Sequence, residues 1–389
     1  MGLSQTFEFA TATRILFGPG VSQHLAEYIK PGITRVLLLT GSRIDRIRSI
    51  IDRMETHKVE MTPFTVKGEP TVDLVRKAAR KARETDSEMI ISIGGGSVLD
   101  AGKAAAALAA NPHDIMDYLE VIGRGEVLTE QPLPFFAVPT TAGTGTEVTR
   151  NAVITSLEKK VKVSLRHAFM LPDLAAVDPL LTHTMPPPVT ASTGLDALSQ
   201  LIEPYVSLKA NPLVDSICRE GLKCASRSLK KAFDNGDDPQ AREDMALASL
   251  FSGLALANAK LGAVHGIAGP MGGMFQIPHG VICGRLLPWV FEANIKTVEK
   301  MTAVNSDSLS RFQDIAQILT GDKNAGAEDG IEWLKNLCEH LHLPGLSAYG
   351  LSEEAFPELV QKSQKASSMK GNPVVLNRDE LYAILAKSL

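Results

Sequence analysis

The segment Met89-Ile90-Ile91-Ser92-Ile93, closed by Gly94-Gly95-Gly96-Ser97 and followed by an alanine-rich stretch, constrains the fold more than any other feature of the chain. An unbroken apolar run of this length suits a strand covered on both faces, as in a parallel sheet. The glycines turn directly into helical sequence, Leu99 to Ala110, which makes the segment a strand–helix unit. The pattern recurs. Val36 to Thr40 is an apolar run ending at Gly41, and Arg43 to His57 then has helical spacing of Ile44, Ile47, Ile50, Ile51 and Met54. Val59 to Val66 reads as a strand interrupted by Pro63, Val72 to Thr85 as a basic amphipathic helix, and Phe135 to Val138 as a strand closed by Pro139. Such alternation predicts an α/β fold with a parallel sheet and right-handed crossovers.

The pattern changes at Met185-Pro186-Pro187-Pro188, since consecutive prolines do not continue a helix or a central strand. Beyond it the spacing is helical over 189–206, 213–233, 240–259, 308–319 and 353–363. We therefore expect an α/β domain over residues 1–185 and an all-helical domain over 186–389. A chain of 389 residues is long enough for two cores. Its net charge of −4 offers no field for nucleic acid or an anionic membrane, and neither is expected as a partner. The longest apolar stretch, near Ala101 to Ala110, contains Lys103 and is too short to span a bilayer. The N-terminus has no secretory pattern, and Cys218, Cys224, Cys283 and Cys338 form no C-x-x-C pair and read as buried free thiols. A cytoplasmic enzyme is expected.

Two loops and one ligand set carry chemistry. Gly95, Gly96 and Ser97 precede a helix, so backbone N–H groups and the positive helix end would suit a pyrophosphate. Pro139 to Glu147 follows the next strand and carries Thr140, Thr141 and Thr144 among its hydroxyls. Neither loop is the G-x-G-x-x-G of a standard Rossmann first turn, and either alone also reads as a tight structural turn. In the second half, Asp196 and Gln200 are four apart and share a helix face. His265 and His279 are separated by a glycine-rich stretch with Pro270 and Pro278, which is expected to turn and bring the imidazoles together. One carboxylate and two imidazoles suit Fe2+ or Zn2+, although any single histidine is more often a core or surface residue.

Together these segments resemble the iron-containing (group III) alcohol dehydrogenases, a family with glycerol dehydrogenase, lactaldehyde reductase and maleylacetate reductase relatives. The resemblance runs from Leu16-Phe17-Gly18-Pro19-Gly20 through Gly94 to Asp100, Pro139 to Thr149, Val177-Asp178-Pro179, Gly194 to Leu198, and His265 to Gly280. It implies a dehydroquinate synthase-like two-domain architecture and hydride transfer between a small alcohol and NAD or NADP. It assigns the cofactor to Gly41, Ser42, Arg43, Gly95, Gly96, Ser97, Asp100, Thr140, Thr141, Thr144 and Lys162. Asp196, His265 and His279 would act through a bound metal, with Gln200 as fourth ligand or as a donor beside it. A homodimer or larger homo-oligomer is also implied.

Three positions depart from the family pattern. Gln200 stands where the fourth ligand is usually histidine, and Gly269 where a further histidine is common. Thr40 is followed by Gly41-Ser42-Arg43 instead of the aspartate usual in NAD-preferring members, which leaves NADP(H) open. The first two departures keep a metal-independent, maleylacetate reductase-like enzyme as an alternative. A lyase of the dehydroquinate synthase kind and a non-catalytic dinucleotide-binding protein are the others.

Overall fold

The computed structural model describes residues 6–159, 161–301 and 306–389, with Ser306 and Asp307 described by backbone alone. Its N-terminal unit comprises Thr11–Thr141 and Gly145–His183. In chain order it contains β1 (Ile15–Phe17), β2 (Arg35–Thr40), α1 (Arg48–Thr56), β3 (Glu60–Thr65), α2 (Val72–Glu84), β4 (Met89–Gly94) and α3 (Gly96–Ala110). There follow the single turn α4 (Ile115–Tyr118), β5 (Phe135–Pro139), the hairpin strands β6 (Asn151–Ser156) and β7 (Val161–Arg166), and β8 (Leu174–Val177). Six strands form one parallel sheet in the order β1-β8-β5-β4-β2-β3.

Alternation within the central strands explains why their sequences are almost wholly apolar, Ser92 of β4 being a buried exception. Val36, Leu38, Ile91, Ile93, Phe136 and Val138 pack on one side against Ile50, Ile51 and Met54 of α1. Leu37, Leu39, Ile90, Phe135 and Ala137 face the other way, onto Ala78 and Ala82 of α2 and Leu99, Ala101 and Ala105 of α3. Small residues on α2 and α3 let the helices lie close to the sheet. Pro63 is accommodated because β3 is an edge strand, paired on one side only, with Pro63 opposite Leu38. β1, β8 and the β6–β7 hairpin are too short or too mixed in pattern for the sequence reading, which named none of them.

The second unit comprises, among the described residues, those of Thr184–Leu389 together with Ala142–Thr144 and residues 6–10. It contains α5 (Pro187–Val206), α6 (Pro212–Asp234), α7 (Pro239–Asn258), α8 (Ala263–Met274), α9 (His279–Lys300), α10 (Ser306–Thr320), α11 (Ala327–His340), α12 (Phe356–Lys365) and α13 (Arg378–Ser388). One continuous apolar core joins them, including Leu195, Leu198, Leu201, Ile267, Ile282 and Leu286. Prolines at the start of α5 are compatible with the helix because first-turn N–H groups have no intrahelical partner. The 265–279 stretch, expected to turn along its length, is helical as far as Met274, with Pro270 inside the helix. Burial of Ala263, Val264, Ile267, Ala268 and Met271 outweighs the helix-breaking tendency of its glycines and proline. Among the described residues no single helix is long and apolar enough to cross a membrane; α7 with α8 passes by length and composition only as a pair bent by 95°.

Candidate active site

Helix α5 carries the first ligand candidate because its polar residues interrupt an otherwise apolar face. Asp196, Gln200 and Glu203 lie on one stripe of the helix, and all are buried. Glu203 is the residue the sequence reading missed. Its Oε1 accepts the Val264 N–H at 2.6 Å, and its Oε2 lies 2.6 Å from Nδ1 of His265. Gly262, the residue before α8, offers no capping side chain, so the carboxylate of α5 caps α8 from outside. With Nδ1–H donating to Glu203, the lone pair on Nε2 of His265 is directed away from it, and Nε2 lies 3.4 Å from Asp196 Oδ1.

His279 opens α9, immediately after Pro278. Gly280 allows the necessary approach, because a Cβ there would stand 1.9 Å from the Ser192 carbonyl oxygen of α5. The result places His279 Nε2 at 3.7 Å from Asp196 Oδ1, with the two imidazole centroids 5.4 Å apart. Cys283, one turn further along α9, brings Sγ to 3.8 Å from His265 Nε2 and 3.6 Å from His279 Nε2. One donor atom from each of Asp196, His265, His279 and Cys283 lies within 4.8 Å of the others. Asp196 and His265 are buried, whereas 40% of the His279 side chain is exposed, so the cluster is reached from the His279 side.

The cluster favours positive charge. Burial opposes protonation of His265, but Cys283, Glu203 and Asp196 outweigh it and hold the imidazole well above its ordinary pKa. Burial likewise opposes ionisation of Asp196, yet His279 and His265 keep its carboxyl below the usual range. Asp196 Oδ1 nevertheless has no hydrogen-bond partner, which is costly for a buried carboxylate oxygen. Two atoms each bound at about 2.0–2.3 Å to a tetrahedral centre are roughly 3.3–3.8 Å apart. The spacings from Asp196 Oδ1, 3.4 Å and 3.7 Å, are of that size. The donors fit a divalent metal. Gln200 instead directs its amide nitrogen to the Gly143 carbonyl oxygen at 3.3 Å, a bond shared with Ser252 Oγ at 3.1 Å.

The N-terminal unit gathers the sequence-designated loops at the carboxyl ends of adjacent strands. β2 pairs with β4 and β4 with β5, so Gly41, Gly95 and Thr140 all leave the same edge of the sheet. With β2 counted as first, the order β3-β2-β4-β5-β8 has its topological switch between β2 and β4, where open α/β sheets form their ligand crevice. Gly95, Gly96 and Ser97 are partly exposed, and α3 begins there without a side-chain cap. Thr140 N–H donates to Gly94 O at 2.9 Å, locking the two loops side by side. Thr144 belongs to the helical unit, where neighbouring Gly143 is packed against Thr193.

Other designated residues already have partners. Ser42 and Arg43 are exposed, and Arg43 pairs with Asp45 at 3.3 Å. Lys162 donates to Glu69 at 2.5 Å. Asp100 is buried beside Lys103 and, by burial above all, pushed up to about 6. Lys103, which the sequence reading treated only as an interruption of an apolar run, ties the helix to the second loop. Its Nζ donates to Thr146 O at 2.7 Å, Thr149 O at 2.7 Å and Asn151 O at 3.0 Å.

A parallel sheet with glycine- and threonine-rich loops at the carboxyl ends of its strands, and a helical unit with a buried carboxylate–imidazole cluster, fit the class of α/β proteins that hold a nucleotide and a metal ion. Comparison with known families assigns it more narrowly. The profile for "Iron-containing alcohol dehydrogenase" matches residues 12–179, and that for "Fe-containing alcohol dehydrogenase family, C-terminal" matches 190–389. The chain is 34% identical over 394 residues to long-chain-alcohol dehydrogenase 1 of Geobacillus thermodenitrificans, covering 96% of each. It is 32% identical over 388 residues to the NADPH-dependent butanol dehydrogenase of Clostridium saccharobutylicum, covering 97% of this chain and 96% of the relative. The crystal structure of a 1,3-propanediol oxidoreductase superposes with a TM-score of 0.91 at 31% identity, covering 99% of this chain and 100% of that one. The chain belongs to the iron-containing alcohol dehydrogenase family, and the activity that membership supports is NAD(P)-linked oxidoreduction of alcohols.

Proposed function

We propose that this protein is a metal-dependent, NAD(P)-linked dehydrogenase that interconverts a small alcohol and its aldehyde or ketone. The observation that carries the reading is the unpartnered, buried Asp196 Oδ1 facing the Nε2 atoms of His265 and His279. A divalent cation, Fe2+ or Zn2+, would be held by those three residues, and when bound it supplies Lewis acidity to a substrate oxygen. The dinucleotide supplies or accepts the hydride at its nicotinamide ring.

The chain's own residues prepare both sites. Glu203 fixes the tautomer of His265 and keeps a ring lone pair directed toward Asp196. Asp196 provides the negative charge that a cation would neutralise. In the N-terminal unit, the free backbone N–H groups at Gly96 and Ser97 suit a pyrophosphate, and Thr140 and Thr141 border that loop. Lys162 would add a cofactor contact by exchanging Glu69 for the ligand. Asp100 would act from beneath the loop, in the buried pair with Lys103. Arg43 would meet an adenosine 2′-phosphate, since its pair with Asp45 is solvent-exposed on both sides and yields readily. The protein is proposed to work in the cytoplasm as a homo-oligomer.

The test is metal analysis of the purified protein together with NADH and NADPH oxidation against a panel of small aldehydes and ketones. Turnover should depend on bound metal, and replacing His265 and His279 together by alanine should abolish both. If that double variant kept its metal and its turnover, the reading would be wrong.

A further inference from the structure

The sequence offers Gln200 as the fourth ligand, but the side-chain arrangement singles out a different residue. Resting on the reading that the cluster holds a metal, we infer that the thiolate of Cys283 is its fourth protein ligand, and that Gln200 is a structural hydrogen-bond donor.

Cys283 lies one turn beyond His279, so both project from the same face of α9. Its Sγ is 3.8 Å from His265 Nε2 and 3.6 Å from His279 Nε2. Asp196 Oδ1 stands 3.4 Å and 3.7 Å from the same two nitrogens. These separations are four of the six edges of a tetrahedron whose corners are one oxygen, two nitrogens and one sulfur, and the remaining two are no longer than 4.8 Å. The four match the roughly 3.3–3.8 Å expected when all four atoms bind one ion at ordinary metal–ligand lengths. The second, independent sign is the orphaned Asp196 Oδ1, on a buried residue and within the same group.

Gln200 is placed otherwise. Its amide nitrogen is committed to the carbonyl oxygen of Gly143, a residue held tightly enough that a Cβ on it would meet Thr193 Cβ at 2.6 Å. On binding, the thiol proton of Cys283 passes to solvent as the sulfur–metal bond forms. A donor set with one sulfur is softer than carboxylate and imidazole alone, and it favours zinc or cobalt over magnesium, calcium or manganese.

The experiment is cobalt(II) titration of the metal-free full-length protein, followed by absorption spectroscopy. Binding of about one ion per chain should bring visible d–d bands and a near-ultraviolet thiolate-to-cobalt charge-transfer band. Cys283→Ser should still bind cobalt, at least about tenfold more weakly, and lose only the charge-transfer band. Cys338→Ser, whose thiol instead donates to Gly284 O at 3.3 Å, and Gln200→Ala should both keep the charge-transfer band. Saturable d–d bands without charge transfer in the unmodified protein would overturn the thiolate ligand while leaving the metal site standing. Loss of the charge-transfer band in Cys338→Ser, or its persistence in Cys283→Ser, would also overturn it. Failure of the unmodified protein to bind cobalt at all would overturn the metal reading and this inference together.

Discussion

Glu203 shows how one side chain can serve two helices. It ends the hydrogen-bonding needs of α8 at Val264 and sets the proton on His265, both through contacts of 2.6 Å. Glu203→Gln keeps the shape but removes the charge and one acceptor. We expect metal affinity to fall by about 10–100-fold, as for other groups that orient a metal-bound histidine, measured by competition with a chromophoric chelator. A second residue-scale expectation concerns the nucleotide. Arg43 is exposed and weakly paired, and no carboxylate directly follows Thr40 to repel a 2′-phosphate. Arg43→Ala should raise the KM for NADPH about tenfold, roughly 1.4 kcal/mol, and leave that for NADH unchanged. Equal effects on both nucleotides would remove Arg43 from phosphate recognition.

At the scale of elements, close contacts between helices decide where the ligands stand. Gly280→Ala would drive a methyl group into the Ser192 carbonyl, so α9 must shift from α5. The expected cost is about 1–3 kcal/mol of stability, read from urea unfolding, with weaker metal binding because His279 moves with the helix. In the N-terminal unit the link between α3 and the second loop has a pH signature. Glu147 is buried, and burial outweighs the attraction of Lys103, pushing its carboxyl from 4.5 up to about 7. The folded state therefore holds a proton that the unfolded state has lost. This contribution to stability is complete below pH 4.5 and is lost as pH rises through 7, a loss of at most about 3 kcal/mol. Glu147→Gln should lessen the fall in urea stability between pH 5 and pH 8, leaving the part that buried Asp100 contributes as it ionises, and be the more stable form at pH 8. An unchanged slope would mean that Glu147 is ionised throughout.

For the whole molecule, each proposed ligand stabilises the state that binds it. Zinc at about 100 times its dissociation constant should add about 2.7 kcal/mol to unfolding of the helical unit. A chelator should reverse the gain, and Asp196→Asn should abolish it. A gain that survived in Asp196→Asn would place the ion elsewhere. The two units have separate apolar cores, so NADH should stabilise Asp196→Asn as it does the unmodified chain.

The sequence by itself determined the elements with strong periodicity or composition. The apolar runs of β2, β4 and β5 could be read because a strand covered on both faces is built almost wholly of apolar side chains, buried Ser92 of β4 being satisfied by donating to the Val98 carbonyl oxygen. Local pattern and resemblance pointed to the glycine loop before α3, to the change from α/β to helical sequence near residue 185, and to Asp196, His265 and His279, whose donor atoms the fold brings within 4.8 Å of one another. What only the tertiary structure decided were features whose cause is distant in sequence. Packing on a large apolar core made 263–274 helical despite its glycines and Pro270. Glu203 could have been suspected from its place on the Asp196 face, but its partner lies 62 residues away in the chain. Cys283 reads as one more buried thiol until α8 and α9 come together and set its sulfur beside two imidazoles. Local sequence fixes backbone preference and which side of a helix is polar; which polar groups then meet is set by close packing between helices, which no short window of sequence contains.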